Sequence, residues 1–412
     1  MIKIAVMGYG VVGSGTVEVF YKNHSNISAK IGDDIDIKYI LDLRDFDDSP
    51  YKDKFIKDFG LILNDPEISV VAEVIGGLNP AYNFVKSLLE AGKSVVTSNK
   101  ELVAEKGAEL LQIAREKNVN FFFEASVGGG IPIIRPLHHC LSANEIDEIA
   151  GILNGTTNFI LTKMINDGME FDDALALAQK LGYAERDPSA DVDGHDACRK
   201  ICILASLSFG KHIYPEKVHT EGITKITLQD VQYCSSFGGA VKLIGWAKKI
   251  DDKAAVMVCP AFISNESQLA SVNDVFNAIL VRGDATGDVV FYGKGAGKLP
   301  TASAVVSDII MAAKMRDNSK SLYWNSSEDE FTVDHSTLYN KFYLRLICKN
   351  KEKVLSIAEE MWGKLKILHR EGEEDNEAAF ITDKINEEKF KEDCRIISGD
   401  AEIKGVIRVL DY

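Results

Sequence analysis

One segment of the chain gathers the side chains that acid–base chemistry needs. Between Gly182 and Lys200 the sequence reads GYAERDPSADVDGHDACRK, with five acidic residues, a histidine and a closing lysine ahead of an apolar helical pattern. A helix over His195–Phe209 places Asp196 and Lys200 one turn apart on one face. A carboxylate keeps such a lysine charged while burial lowers its pKa, so Lys200 can hold a proton for a developing alkoxide. A solvent-exposed ion pair would have the same spacing.

The sequence GYGVVG, residues 8–13, follows the first predicted strand and opens a predicted helix. In that setting Gly8 permits a tight turn, Gly10 lets the backbone approach a pyrophosphate, and Gly13 lets the helix pack closely on the strand. The phosphates would then lie at the helix N-terminus, beside Val11 and Val12. We therefore predict that these five residues bind a dinucleotide.

The end of the second predicted strand carries Asp42 and Arg44, which give opposite signals about that dinucleotide. An acidic side chain favours the free ribose hydroxyl of NAD, whereas a guanidinium can hold the 2′-phosphate of NADP. We favour NADP, with Arg44 as a cofactor-binding residue, and NAD is the alternative.

Two further segments follow predicted strands, at the edge where open α/β sheets bind ligands. Thr97, Ser98 and Lys100 offer hydroxyls and an ammonium to ribose, nicotinamide or a substrate carboxylate. A helix cap followed by a surface lysine is the alternative. In EASVGGGI, residues 124–131, three glycines expose backbone carbonyls beside the Glu124 carboxylate, which suits a hard monovalent cation. A hinge between domains is the alternative for this second segment.

Two polar loops occur later in the chain. NGTTN, residues 154–158, offers donors for a small polar substrate around Gly155 and Thr156, or is only a capping turn. GKGAG, residues 293–297, precedes a predicted helix, so backbone N–H groups near Gly297 can reach a cofactor, or the segment is an ordinary loop. Together, the motifs predict a nicotinamide cofactor that meets a small amino-acid-like substrate in a cleft between two domains.

The elements that must position these residues divide the chain into three regions. Short apolar runs alternating with helical patterns predict an α/β, Rossmann-like NAD(P)-binding domain over residues 1–134, completed by a helix near 300–318. Longer helices mixed with separate strands predict an α+β substrate-binding and catalytic domain over 135–318, with one helix over 230–247. A polar linker over 319–338 then precedes a βαββαβ pattern, the ferredoxin-like module, over 339–412.

Composition limits the partners. The 47 basic and 62 acidic residues give a net charge of −15, so the field of the protein opposes nucleic-acid binding. Seven cysteines are scattered without the spacing of a zinc site, which predicts reduced thiols. The sequence has neither a signal segment nor an apolar run of membrane-spanning length. We therefore expect a cytoplasmic protein that acts on small molecules.

Six ordered motifs resemble those of the homoserine dehydrogenase family: GYGVVG, TSNKELVA, EASVGGGIPII, GILNGTTNFIL, LGYAERDPSADVDGHDACRK and GKGAGKLPTASAVVSDI. The resemblance covers residues 1–320, and the terminal module resembles the ACT domain that some members carry. It implies NAD(P)H-dependent reduction of L-aspartate 4-semialdehyde to L-homoserine and the reverse, in threonine, methionine and isoleucine biosynthesis. It also implies a homodimer or higher homo-oligomer assembled through the second domain. Another amino-acid dehydrogenase and a non-catalytic sensor of the same fold are the alternatives.

The resemblance also implies roles for individual residues. Lys200 resembles the family's acid/base lysine beside Asp196, and Lys100 resembles the second lysine, between cofactor and substrate. Glu185 resembles the carboxylate that receives the substrate amino group. The implied substrate-binding set is Glu185, Asp191, Lys100, Thr156 and Gly155, the implied sodium-binding loop is Glu124, Val127, Gly129 and Ile131, and Gly297 matches a position that closes over the cofactor.

The terminal module departs from the ACT pattern at one turn. ACT modules usually bind an amino acid where a turn resembling Asp-x-Pro-Gly precedes Val-Leu, because the glycine lets backbone N–H groups approach the ligand. Here Asn350 opens the turn, Glu352 stands in place of the proline and Lys353 in place of the glycine. We therefore expect weak or absent threonine inhibition, with the module serving in packing or oligomerisation.

Overall fold

The computed structural model describes residues 1–315, 322–327 and 331–412, and its N-terminal part is a six-stranded parallel sheet. The strands are β1 (Ile2–Met7), β2 (Ile35–Leu41), β3 (Phe55–Ile56), β4 (Ile68–Glu73), β5 (Ser94–Thr97) and β6 (Phe121–Phe122), in the order β3-β2-β1-β4-β5-β6. The connecting helices are α1 (Val11–Lys22), α2 (His24–Ile31), α3 (Gly60–Leu63), α4 (Ala81–Glu90) and α5 (Lys100–Glu116). The order reverses between β1 and β4, which is where such sheets bind a ligand.

The middle of the chain supplies longer helices and a second, mixed sheet. Its helices are α6 (Gly155–Asp167), α7 (Phe171–Lys180), α8 (Ser189–Val192), α9 (His195–Phe209), α10 (Leu228–Phe237) and α11 (Lys298–Lys314). Its strands are β7 (Ile146–Ile152), β8 (His219–Thr220), β9 (Gly239–Ile250), β10 (Lys253–Ser264), β11 (Phe276–Gly283) and β12 (Gly287–Lys294). Helix α11 returns to pack on α1 and the first sheet, so its apolar residues Val305 and Ile309 share a core with Val17 and Phe20.

The helix predicted over 230–247 is wrong, because the segment changes structure at a glycine. Helix α10 ends at Phe237, and Gly238 adopts φ +84°, a left-handed conformation that glycine tolerates and that commonly closes helices. Strand β9 begins at the next residue and pairs with β10 along its whole length. The apolar run Val241–Ala247 therefore lies in a strand that is buried on both faces.

The C-terminal module, residues 339–412, folds as β13 (Tyr339–Cys348), α12 (Lys351–Trp362), β14 (Lys366–Leu368), β15 (Glu377–Ile381), β16 (Ile385–Asn386), α13 (Glu387–Ile397) and β17 (Ala401–Leu410). Strand β17 pairs in parallel with β10, matching Ala261 to Arg408 and Ile263 to Leu410. The second sheet therefore runs without a break from β12 to β14, in the order β12-β11-β7-β9-β10-β17-β13-β15-β14, with β8 beside β10 and β16 beside β13.

The predicted linker contains an anchored segment. Residues 316–321 and 328–330 lie outside the described residues, but Trp324 between them is only 1% exposed and donates its indole N–H to His212 Nδ1 at 2.9 Å. Asn325 pairs through its backbone with Gly210 and His212. None of the helices in the described part of the chain combines the length and apolarity that a membrane crossing requires.

Candidate active site

Helix α9 presents a buried lysine–carboxylate pair. Its N-cap, Gly194, has φ +86°, and this turn places Asp196 in the first helical turn with Lys200 one turn later. Lys200 Nζ donates to Asp196 Oδ2 at 2.7 Å and to the Leu153 carbonyl at 2.7 Å. Asp196 is 3% exposed and Lys200 is 7% exposed. The pair is therefore not a solvent-exposed surface pair.

A second lysine reaches the same carboxylate from the first sheet. Lys100 opens α5 at the carboxyl end of β5, and its ammonium contacts Asp196 Oδ1 directly. Burial alone would raise the pKa of Asp196, but the ammonium groups of Lys200 and Lys100 outweigh it and hold that pKa far below its usual range. The contact joins the first sheet to the helix that carries Lys200.

The two lysines differ in proton affinity although they share one partner. Burial lowers the pKa of Lys200, and the attraction of Asp196 does not fully compensate, because the positive charge of Lys100 also acts on it. For Lys100 burial acts in the same direction, but the carboxylates of Asp196 and Asp191 outweigh it and raise its pKa. Lys200 is thus the lysine of the pair that releases its proton more readily.

Asn154 ties the acidic residues together, a role that the sequence did not predict. Its side-chain amide donates to Asp191 Oδ1 at 2.7 Å and to Asp196 Oδ2 at 2.9 Å. Its oxygen accepts from the Thr157 amide at 2.8 Å and so caps α6. Burial raises the pKa of Asp191 despite the hydrogen bond from Asn154. The sequence indicated that this asparagine could cap a helix. It could not indicate the hydrogen bonds to Asp191 and Asp196, because those residues are distant in sequence.

The other predicted substrate residues occupy different positions. Thr156 donates its hydroxyl to the Tyr183 carbonyl at 2.6 Å, so it orders the segment that leads to Glu185. A side chain at Gly155 would lie 2.8 Å from the Val275 carbonyl oxygen, which explains the glycine. Glu185 is exposed in the turn after α7, and within the described residues its carboxylate forms neither a hydrogen bond nor an ion pair. The structure brings together Lys100, Lys200, Asp191 and Asp196, but it does not bond Glu185 to them.

The glycine turn at residues 8–13 has the geometry that its sequence predicts. Gly8 has φ +97°, and a Cβ there would lie 2.9 Å from the Val74 carbonyl oxygen. A Cβ at Gly13 would overlap the Gly8 carbonyl, whereas a Cβ at Gly10 meets nothing within 4 Å. Gly10 caps α1 without a side chain, so the helix N-terminus at Val11 and Val12 stays open to an anionic group.

Asp42 and Arg44, which gave conflicting cofactor signals, bind each other. The Asp42 carboxylate accepts from Arg44 Nε at 3.0 Å and Nη2 at 2.9 Å, and also from the Tyr9 amide at 2.8 Å. Hydrogen bonding to Arg44 lowers the pKa of Asp42 to about 2. The Arg44 side chain remains 62% exposed, against 8% for Asp42, and lines a pocket with Lys52 and Lys57. Asp42, Asp45 and Asp47 line the same pocket, so its charged side chains are three basic and three acidic, and Lys57 pairs with Asp45 at 2.6 Å.

The Thr97 hydroxyl, predicted to face the cofactor, is used inside the protein. It donates to Glu73 Oε2 at 2.6 Å and accepts from the Asn99 amide at 2.9 Å, and Thr97 is buried. The other Glu73 oxygen accepts from the Ile75 amide at 2.8 Å, next to the glycine turn. Thr97 thus supports the loop that carries Ser98, which is half-buried, and Lys100. Glu73 was missed, although an acid closing the apolar strand VVAE is a visible signal.

The Glu124 side chain is also fully engaged. Its two carboxylate oxygens accept from the amides of Ile133, Ile134 and Arg135 at 2.6–2.9 Å, and from Arg135 Nε at 3.2 Å. The loop after it packs on the second glycine loop, since the Gly130 amide donates to the Lys294 carbonyl at 3.1 Å. Gly297, with φ +128°, then caps α11. A cation at this loop would therefore depend on the carbonyl oxygens of Val127, Gly129 and Ile131 and not on the Glu124 carboxylate.

Known proteins match both parts of this arrangement. Residues 8–124 match the family model "Homoserine dehydrogenase, NAD binding domain", and residues 132–310 match the model "Homoserine dehydrogenase". The chain belongs to the homoserine dehydrogenase family. It is therefore an NAD(P)-dependent oxidoreductase, and the lysine pair joins the two matched parts, since Lys100 lies in the first and Lys200 in the second.

Homoserine dehydrogenases of several organisms resemble the chain over most of its length. The Pseudomonas aeruginosa enzyme is 40% identical over 366 residues, which cover 86% of this chain and 84% of the relative. The Synechocystis enzyme is 38% identical and covers 99% of both. Among solved structures, the Thiobacillus denitrificans homoserine dehydrogenase aligns with a TM-score of 0.91 and 34% identity, over 100% of this chain and 98% of that one. A hyperthermophilic archaeal homoserine dehydrogenase mutant in complex with NADPH aligns with a TM-score of 0.65 and 31% identity, over 76% of this chain and 97% of its own.

Proposed function

We propose that the chain reduces L-aspartate 4-semialdehyde to L-homoserine with Lys200 as the general acid, and catalyses the reverse reaction with the same group. The single observation that carries this proposal is the buried Lys200–Asp196 pair, which the part-exposed Lys100 also contacts and in which Lys200 has the lowered pKa. An ammonium has three protons. Two of those on Lys200 are donated to Asp196 and Leu153, which leaves the third for a substrate oxygen.

Each residue has a defined part in this reaction. Bound reduced nicotinamide supplies a hydride to the aldehyde carbon. Lys200 first donates a hydrogen bond to the aldehyde oxygen and then transfers its proton to the alkoxide that forms. Asp196 keeps Lys200 protonated before that step, because Lys100 holds Asp196 ionised. Asp191 and Glu185 receive the substrate ammonium, which fixes the reacting carbon before the reaction.

We propose NADP as the preferred cofactor. Asp42, the residue that would select a free ribose hydroxyl, is occupied by Arg44 and by the Tyr9 amide. Arg44, whose side chain is 62% exposed, and Lys52 line the adjoining pocket together with Asp45 and Asp47, and the two basic groups would pair with the charges of a 2′-phosphate. Gly10, with open space in front of it, would face the pyrophosphate, and we assign Gly297 and Ser98 to the same cofactor site from the family resemblance.

We also propose that sodium, as the monovalent cation of this family's loop, is held by backbone carbonyls at Val127, Gly129 and Ile131. The engagement of all Glu124 oxygens supports an indirect role for that residue, in shaping the loop. No catalytic step depends on the ion.

For the C-terminal module we propose an ACT-like domain within the division 1–134, 135–318 and 339–412. The antiparallel order β17-β13-β15-β14 supports it, because this is the strand order of a ferredoxin-like βαββαβ unit. We further propose a homodimer in the cytoplasm. The family resemblance supports the dimer, and the seven unpaired cysteines support a reducing compartment.

The decisive experiment is oxidation of L-homoserine by the purified protein, followed by the absorbance of reduced nicotinamide with NADP and NAD in parallel. Lys200→Ala is expected to lose about 10²–10⁴ in turnover with cofactor affinity unchanged. Lys163→Ala is the matched control, since Lys163 forms an i,i+4 pair with Asp167 on the surface of α6. Near-normal turnover by Lys200→Ala would contradict the acid assignment. Cofactor binding without turnover in the unmodified protein would favour a sensor.

A further inference from the structure

A buried arginine of the C-terminal module, residues 339–412, bonds to residues 219–223, which we call the strap. Arg408 lies on β17, and its Nε and Nη2 donate to the two oxygens of Glu387 at 2.7 and 2.6 Å. Its third nitrogen, Nη1, donates to Glu221 Oε1 at 2.9 Å. Glu387 belongs to the module and Glu221 to the strap, so Arg408 joins the two.

The strap is fixed on both sides by its backbone. On one side the Glu221 amide donates to the Val258 carbonyl at 2.8 Å, which holds the strap on β10, the strand that pairs with β17. On the other side the Ile223 amide donates to the Val192 carbonyl, also at 2.8 Å. The strap therefore bonds to Arg408 through Glu221 and to Val192 through Ile223.

Residues 189–194, which we call the active-site turn, pack closely on the strap. A Cβ at Gly222 would lie 2.5 Å from the Asp193 Cα and would overlap the Val192 carbonyl oxygen. A Cβ at Gly194, the N-cap of α9, would lie 3.3 Å from the Glu221 carbonyl oxygen. The two glycines allow backbone to lie directly against backbone, so a displacement of the strap moves the turn.

The active-site turn sets the position of both acidic residues in the proposed mechanism. Asp191 lies within the turn, and Asp196 follows it in the first turn of α9. Asn154 bonds to both carboxylates, so these two residues are held by Asn154 as well as by the contact of the turn with the strap. Asp196 in turn bonds to Lys200 and Lys100.

We infer that Arg408 is a positioning residue, through which the C-terminal module holds the active-site turn in its reactive arrangement by way of Glu221. The inference rests on the proposed roles of Asp191 and Asp196. The side-chain partners of Arg408 are Glu387, Glu221 and His219, none of which is assigned to substrate or cofactor, so it would act through the strap.

The same interface contains a second buried arginine that serves as a matched control. Arg345 on β13 donates to Asp230 Oδ1 at 2.9 Å and to the Thr227 hydroxyl at 2.9 Å. Both partners lie at the start of α10, outside the strap and the active-site turn. Arg345 therefore joins the module to the rest of the chain without bonding to the strap.

The test compares Glu221→Gln and Arg408→Lys with Arg345→Lys in the full chain. Glu221→Gln keeps the size of the side chain and removes its negative charge. Because Glu221 is partly exposed, we expect this variant to fold even if Arg408→Lys does not. We expect both strap variants to lose about tenfold in kcat with cofactor Kd unchanged, since small displacements of catalytic groups have large effects. Arg345→Lys is expected to lower Tm and to keep kcat.

Two further readouts separate positioning from general stability. In a double-mutant cycle, Glu221→Gln should be non-additive with Asn154→Ser, because both act on the active-site turn, while Arg345→Lys should be additive with it. Amide hydrogen exchange over residues 189–194 should increase in Glu221→Gln and stay unchanged in Arg345→Lys. Equal effects of all three variants on kcat and exchange, or none, would overturn the inference. Hydrogen exchange is measured without substrate. If the proposed function is wrong, the unmodified protein will be inactive but the exchange result can still support or overturn the role of Arg408.

Discussion

Asp196 is one buried carboxylate that serves two lysines and moves their proton affinities in opposite directions. Lys100 has a raised pKa because two carboxylates act on it, and Lys200 has a lowered pKa because burial and the charge of Lys100 prevail. A group that must donate a proton in a reaction benefits from the second condition. A group that must only hold a charge benefits from the first. The different roles proposed for Lys100 and Lys200 therefore follow from their surroundings, since both residues are lysines.

Asn154 offers a test of that electrostatic arrangement. Asn154→Asp keeps an oxygen to cap α6 but removes the two N–H donors and adds a negative charge beside Asp191 and Asp196. We expect kcat to fall about 10–100-fold and the pKa values in the kcat profile to rise, because like charges disfavour ionisation.

Asn154→Ser is the control for this prediction, since serine also caps helices but adds no charge. It should lose less kcat than Asn154→Asp and should leave the pH profile closer to that of the unmodified protein. Equal losses and identical pH profiles for the two variants would contradict the electrostatic role.

At the residue scale, spacing predicted the Asp196–Lys200 pair but could not predict its burial. Burial depends on the Leu153 carbonyl and on Lys100, both far away in sequence. The same limit explains Thr97, whose hydroxyl meets Glu73 on the neighbouring strand. Local sequence therefore identified the side chains that are capable of acid–base chemistry. Tertiary contacts determine which of their polar atoms remain free to bind a ligand.

At the scale of the element, the turn between β1 and α1 contains two glycines with different roles: Gly10 leaves space for the cofactor, and Gly13 allows close backbone packing. Gly10→Ala is expected to keep the Tm, because φ is −78° and the added carbon meets nothing within 4 Å, but to weaken cofactor binding by filling the approach to the pyrophosphate. Gly13→Ala is expected to lower the Tm, because the added carbon overlaps the Gly8 carbonyl. Calorimetry and cofactor titration measure the two effects. A Gly10→Ala protein with normal cofactor Kd would contradict the assignment.

Helix α11 carries a buried acid that makes stability depend on pH. Burial raises the pKa of Asp308 from 3.8 to about 7, even though Arg135 opposes the shift. The folded state then keeps a proton that the unfolded chain releases, so this contribution to stability is complete below 3.8 and is lost as pH rises towards 7. We expect a loss of up to about 1.4 kcal/mol for each pH unit in that window.

Asp308→Asn should abolish this slope in urea unfolding measured at about pH 5 and about pH 7. Asp288→Asn is the control, because Arg282 lowers the pKa of Asp288 and its titration lies below that window. An unmodified protein whose midpoint does not change between the two pH values would refute the prediction.

The elements themselves were largely predictable where periodicity was strong. Helix α9 spans His195–Phe209 as its apolar spacing predicted, and strands β1, β2, β5 and β6 precede the motifs that were expected to follow strands. The two-residue strand β3 was not predicted. The predicted helix over 230–247 failed, because both a buried strand and a buried helix give a continuous apolar run. Gly238, with its left-handed backbone, was the local signal that separates them.

At the scale of the whole molecule, the C-terminal module shares the second sheet with the middle of the chain and is not a separate domain joined only by a linker. The pairing of Ala261 with Arg408 joins strands that are far apart in sequence, and no local pattern specifies it. The βαββαβ order of the module was visible, but its attachment was not. This pairing also places Arg408 beside the strap.

The turn after β13 supports the expectation that the module does not respond to threonine. Its Lys353 amide already donates to Asn350 Oδ1 at 3.0 Å, and the Lys353 ammonium bonds to Asp400 at 2.8 Å. We expect millimolar L-threonine to leave kcat/KM unchanged in the homoserine assay, with L-alanine as the comparison. Inhibition by L-threonine at micromolar concentration would show that the turn binds an amino acid despite this arrangement.

The parallel pairing of β10 with β17 also matters while the protein is being made. The edge of β10 at Ala261–Ile263 is completed only by residues 408–410, so a nascent chain that already contains α9 and the lysine pair leaves the ribosome with unpaired strand groups. Exposed strand edges recruit other chains. Until β17 emerges, this edge is a place where another chain can pair, and slower synthesis of the last residues lengthens that period.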